Sequence, residues 1–144
     1  MRVHKITFKP DGNIASYTDW DMQYSGAKGH ESHCWFATGV GGVLYSPHSL
    51  HKEALNLEVI RKYSLVTDDI WWKIMEVMND TKVVPASNES KVFGWTAFNS
   101  QATAMWHVNI ERGNNDREIK VMLDIYSDWR DPKGRTLLEV IREN

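Results

Sequence analysis

One cysteine, Cys34, is all this chain carries, so no intramolecular disulfide can form. That fits a reducing compartment such as the cytoplasm. No stretch reaches the ~18 consecutive apolar residues of a membrane-spanning helix, so no span is expected. A site of work at the periphery of an inner membrane stays compatible with this. The opening Met1-Arg2-Val3-His4-Lys5 runs straight into strand-like alternation and shows no signal-peptide pattern. Charge excess is missing as well. Seventeen Lys and Arg against 19 Asp and Glu leave a formal net charge of −2, which provides no general field for nucleic acid or an anionic surface. Repeats, low-complexity tracts and linkers are also absent, and 144 residues suit one domain spanning 1–144.

What is present is an ordinary globular balance, 42% hydrophobic and 25% charged, enough to bury a core without staples. Seven tryptophans are unusual. They serve either core packing or sugar stacking, and the count does not separate the two.

Strand and helix patterns alternate along the chain, which predicts an α/β fold: a mixed sheet with flanking helices. Val3 to Phe8 reads as a strand that ends at the turn Pro10-Asp11-Gly12-Asn13, and Ile14 to Tyr17 as a short return strand. Thr18 to Ser32 reads as a loop. Cys34-Trp35-Phe36-Ala37 is apolar and leads into a glycine-rich segment. A helix is expected after Ser49, with Leu50, Ala54, Leu57 and Ile60 near a 3.6 period. Thr67 suits the N-cap of a second helix, whose Ile70, Trp71, Ile74, Met75, Val77 and Met78 give a wide apolar face. Lys82 to Pro85 and Met105 to Ile110 read as strands. Asn115 is expected to cap a helix over 116–126, with Ile119, Val121, Met122 and Ile125 inward. Thr136 leads a short terminal helix.

The chemistry concentrates in two places. Thr38-Gly39-Val40-Gly41-Gly42-Val43-Leu44-Tyr45 lets backbone approach a ligand where a side chain would collide. Asp68-Asp69 then stand at a helix start, in Thr67-Asp68-Asp69-Ile70-Trp71. A carboxylate beside such a loop suits a pocket that holds a hydroxylated substrate and takes a proton from it. Each feature has a plainer reading. Carboxylates in a first turn gain about 0.3–1 kcal/mol from the helix dipole. Gly39, Gly41 and Gly42 serve equally as a bulge or tight turn. No Lys-Ser/Thr follows the glycines, so the segment is not a phosphate-binding P-loop.

His30, His33, Cys34, His48 and His51 offer ligands of the kind zinc favours in fours, but no cysteine pair accompanies them. The polar setting of His30 and His33 suits exposure. His107 reads as a partly buried strand histidine and Cys34 as a small core residue. One of Trp71 and Trp72 should face the core. Trp20 and Trp95, beside polar loops, are the better sugar-stacking candidates.

Phe36-Ala37-Thr38-Gly39-Val40-Gly41-Gly42-Val43-Leu44-Tyr45-Ser46-Pro47, then Ser49-Leu50-His51-Lys52-Glu53, then Thr67-Asp68-Asp69-Ile70-Trp71, resembles a family of bacterial glycosyltransferase-like proteins of polysaccharide and lipopolysaccharide assembly. Arg2 to Ile6 with Asp11-Gly12-Asn13-Ile14, and Trp106 to Ile110 with Gly113-Asn114-Asn115-Asp116-Arg117, extend the likeness over nearly the whole chain. The resemblance implies the C-terminal, acceptor-side part of a GT-A transferase. It implies transfer of a sugar from a nucleotide sugar to a saccharide acceptor. Asp69 is then the general base and Asp68 its support; Gly39, Gly41, Gly42, Tyr45 and Trp71 line the acceptor site. A divalent metal, Mn or Mg, belongs to the family, but its motif is not found here in the family's position. Asp19-Trp20-Asp21 has the right letters and follows the strand instead of preceding it. The nucleotide-binding half is expected from a partner chain or a homo-oligomer, and the chain alone is expected to be crippled in transfer. The alternative is a non-catalytic carbohydrate-binding or assembly module.

Overall fold

The computed structural model describes residues 2–22, 28–39, 42–87, 109 and 113–143. Among these, the chain is a small mixed α/β protein with one two-stranded antiparallel sheet and four helices. Strand β1 (Arg2–Lys5) pairs with β2 (Trp35–Thr38), with Val3 opposite Ala37 and His4 opposite Phe36. All four β2 residues are buried, because both faces of the strand are covered. Side chains alternate between the faces of a strand. Phe36 accordingly joins the main core, while Trp35 and Ala37 join a smaller cluster with Val3 and Val83.

The helices are α1 (Leu57–Tyr63), α2 (Asp68–Met78), α3 (Asn114–Ile125) and α4 (Leu137–Arg142). Helix α2 is central and packs against β2, α3 and α4. Eight of its 11 residues are buried, in keeping with the wide apolar face its sequence shows. Two of the eight, Lys73 and Glu76, are charged, and they pair at 3.3 Å. Helix α4 starts with a reciprocal cap: Thr136 Oγ1 accepts from the Glu139 N–H, and Glu139 Oε2 accepts from the Thr136 N–H at 2.7 Å.

Several boundaries differ from the sequence expectation. The return strand Ile14 to Tyr17 shrinks to one bridge, Phe8 with Ile14, before a 3₁₀ turn over Tyr17–Asp19. Asp116 explains the change. It accepts from the Tyr17 N–H at 2.7 Å and the Ser16 hydroxyl at 2.8 Å, which draws this segment onto α3 instead of along a strand. The single helix expected after Ser49 is a 3₁₀ turn (Lys52–Leu55) followed by α1. Asn56 divides them, because its side chain accepts from the Val59 N–H and starts a new helix. No residue of α1 is fully buried, and Leu57 is exposed.

The Lys82 to Pro85 strand is a lone bridge between Val83 and Ser32; Pro85 has no N–H with which to extend it. Helix α3 begins at Asn114, not after Asn115. Gly113 takes φ +66°, a left-handed conformation that glycine adopts freely, and holds the N-cap position itself. Ile125, expected inward, is exposed. The expected strand Met105 to Ile110 lies outside the described residues except Asn109.

Candidate functional site

Helix α2 begins where β2 ends. Thr67 sits at the N-cap position, as its sequence suggests, but its hydroxyl makes no cap bond. The first-turn carboxylate reaches sideways instead: Asp69 Oδ1 accepts from the backbone N–H of Gly39 at 3.0 Å. Gly39 is the first residue past β2, so the bond joins strand end to helix start. The Gly42 N–H donates to the Gly39 carbonyl at 3.0 Å, and Gly42 takes φ +75°.

A cavity of about 720 Å³ opens at this junction. Thr38, Gly39, Asp68, Asp69 and Ile70 form one side. Ile60, Ser64, Leu65 and Val66, from α1 and the loop after it, form another. His4, Tyr17 and Phe36 supply the aromatic floor, and Asn115 and Asn109 supply amides. The floor is held firmly. Tyr17 lies 5.9 Å edge-on to Phe36, its hydroxyl is 3.2 Å from His4 Nδ1, and Asp116 anchors its backbone.

The electrostatics are acidic. Burial pushes the Asp69 carboxyl above its ordinary value; the Gly39 N–H works against this and the Asp68 charge adds to it. Behind the wall, the Ser64 hydroxyl donates to Glu118 Oε1 at 2.6 Å. Glu118 is pushed up to about 7, chiefly by burial, with Asp68 adding repulsion. No Lys or Arg is found among the described lining residues.

The sequence candidates separate into groups. Asp68, Asp69 and Gly39 come together at the cavity. Gly42 is exposed, and Gly41 lies outside the described residues. Tyr45 is 37% exposed, with its ring 6.1 Å from that of Trp72. Its hydroxyl is pushed up by burial first, then by Glu76, Asp69 and Asp68, so it stands near the carboxylates without lining the cavity. Trp71 is core: it is 1% exposed and donates from Nε1 to the Ala54 carbonyl at 3.1 Å. Trp72 lies to its side, partly buried.

Trp20 is not a stacking surface. It is buried and donates from Nε1 to the Ala15 carbonyl, because the 3₁₀ turn folds its ring onto Tyr17 and Phe36. Trp95 and His107 lie outside the described residues. Cys34 is buried, with its thiol on the Ile141 carbonyl.

Among the described residues, no three His, Cys, Asp or Glu side chains converge. Asp19 and Asp21 flank the buried Trp20, and the Asp21 backbone pairs with Lys5. The histidines have separate duties. His30 is exposed; His33, expected exposed, is buried with Nε2 3.1 Å from Asp80 Oδ1; His51 caps the 3₁₀ turn.

Sequence reasoning missed Ser64, Glu118, Asn109 and Asn115. One signal was readable. Asn115 and Glu118 stand four residues before Ile119 and Met122, so both polar side chains share the buried stripe of α3. A larger cavity of about 830 Å³ lies between the 9–16 turn, α3 and α4. Its Asp116 is already engaged by Ser16 and Tyr17, and none of the sequence candidates faces it.

Comparison with protein-family models, with curated proteins and with solved structures gives no match to this chain.

Proposed function

We propose that this chain is the acceptor-side part of a GT-A-type glycosyltransferase of cell-surface polysaccharide assembly, working in the cytoplasm. It receives a saccharide whose hydroxyl attacks the anomeric carbon of a nucleotide sugar. The observation that carries the reading is the Gly39–Asp69 contact at the mouth of the cavity. One carboxylate oxygen is occupied by the Gly39 N–H. The other makes no hydrogen bond among the described residues and is the one that takes the acceptor's proton. As the new carbon–oxygen bond forms, the bond from sugar to diphosphate breaks, and the nucleoside diphosphate leaves with the electron pair.

Burial suits Asp69 to this work. A carboxyl raised above its usual range is a better base than a solvated one. Asp68 keeps the local potential negative. The apolar stretch Ile60, Leu65 and Val66 takes the C–H face of a sugar ring, and the carboxylates and amides take its hydroxyls. The nucleotide-binding half, with any metal it holds, is assigned to a partner chain or a second copy. Leu44, Leu55 and Leu57 are exposed, which is apolar surface of the kind such contacts cover.

A second reading is a non-catalytic carbohydrate-binding or assembly module. The observation in its favour is the lack of any Lys or Arg among the described lining residues to meet a diphosphate. Binding separates the two readings. The chain is titrated with nucleotide sugars, with and without Mn²⁺, and with oligosaccharides. Oligosaccharide binding by the chain, with nucleotide-sugar binding once the partner chain or second copy is present, supports the transferase. Oligosaccharide binding alone in both settings supports the module, and binding of neither refutes both.

A further inference from the structure

The cavity has a sign. Two of its lining side chains, Asp68 and Asp69, are carboxylates. No Lys or Arg among the described lining residues offsets them. One neutral polar group asks for a donor as well. The Asn109 carbonyl oxygen has no partner among the described residues and only accepts; the Thr67 hydroxyl, 3% exposed, also has none and can donate or accept. Both residues belong to the cavity lining. Buried polar atoms without partners are uncommon in folded proteins, and a ligand that supplies hydrogens satisfies them. A carboxylate, sulfate or phosphate on a ligand brings only acceptors and a like charge.

We infer that the saccharide this cavity takes is a neutral or amino-bearing sugar, and that acidic sugars are excluded from it by the Asp68–Asp69 pair. The inference rests on the saccharide reading of the site and deepens it. Asp69 anchors and takes the proton; Asp68, one residue earlier and exposed at the helix start, sets the charge rule. A ring hydroxyl donates to either carboxylate. An ammonium group in its place adds attraction. A ring carboxylate placed there meets a like charge with nothing to screen it but solvent entering the mouth.

The test is a calorimetric panel on the whole chain: methyl hexosides, the matching 2-amino-2-deoxy hexosides, and the matching hexuronides. Hexosides and amino sugars are expected to bind, and hexuronides to bind about tenfold or more weakly, as like charges set against each other require. In Asp68→Asn the gap between hexoside and hexuronide should narrow, because that change removes one of the two charges and keeps shape. Should Asp68→Asn fail to fold, the wild-type ratio decides alone. Hexuronides binding as tightly as hexosides overturn the charge rule and leave the saccharide reading standing. Binding of no sugar in the panel overturns both.

Discussion

The backbone N–H of Gly39 and the carboxylate of Asp69 meet at 3.0 Å, 30 residues apart in sequence. The bond ties the end of β2 to the first turn of α2. A Cβ added at Gly39 would lie 3.2 Å from Asp69 Oδ1, so a glycine is what the approach tolerates best.

Gly39→Ala therefore acts on the site more than on the fold. The new methyl group displaces the Asp69 carboxylate by a few tenths of an ångström, while Gly39 itself is exposed. Saccharide affinity should fall about tenfold, given how steeply function depends on placement. The melting temperature should move by no more than a few degrees. Paired calorimetric and thermal-melt measurements check it. A collapse in stability would make the contact structural only.

Asp69→Asn separates the base from the cap. Asparagine keeps an oxygen for the Gly39 N–H but takes no proton. Transfer, assayed with the nucleotide-binding partner supplied, should fall by roughly 10²–10⁴. Thermal stability should barely change. A large loss of stability instead would identify Asp69 as a fold-holding carboxylate.

Glu118 gives a pH signature. Its folded value of about 7 stands above the ordinary 4.5, so the folded state holds a proton that the unfolded state releases. That contribution is fully present below 4.5 and is lost as pH rises through about 7. Glu118→Gln removes it while still accepting from Ser64. The melting temperature of the variant relative to wild type should rise between pH 5 and pH 8 by a few degrees. His33 runs the other way. Burial lowers its value, so its contribution is lost as pH falls below the ordinary 6.5, and the variant-minus-wild-type difference cancels it. A flat difference would show that Glu118 stays ionised throughout.

Much of this was legible in advance, for reasons that differ by element. The core of α2 was readable because Ile70, Trp71, Ile74, Met75, Val77 and Met78 repeat at helical spacing, and burial followed the period. The start of α4 was readable at Thr136, and the structure adds its reciprocal N-cap with Glu139. The proximity of Gly39 to Asp68 and Asp69 was expected from the resemblance, and spacing alone did not require it. What stayed hidden depends on distant partners. Nothing local in Ser16 and Tyr17 announces that Asp116 will turn them off a strand. Nothing local in Trp20 says its ring will close onto Phe36. Nothing local in Lys73 and Glu76 announces that both will be buried.

That covered pair yields a stability prediction. Burial pushes Lys73 down and Glu76 up, and each is held charged mainly by the other. Lys73→Ala strands a buried carboxylate and should cost roughly 3–5 kcal/mol. Replacing both, Lys73→Met with Glu76→Leu, should recover most of that, since an apolar pair of similar volume leaves no buried charge unpaired. Denaturant unfolding of the two variants measures the difference. Equal losses in both would mean the pair is held by packing alone.

The most direct measurement is an amide chemical-shift map during titration with a neutral oligosaccharide. The account predicts saturable shifts gathered at Gly39, Ser64, Asp68, Asp69 and Asn115, around the cavity between β2 and α2. Shifts gathered instead in the 9–16 turn, α3 and α4, or none at any concentration, would contradict it.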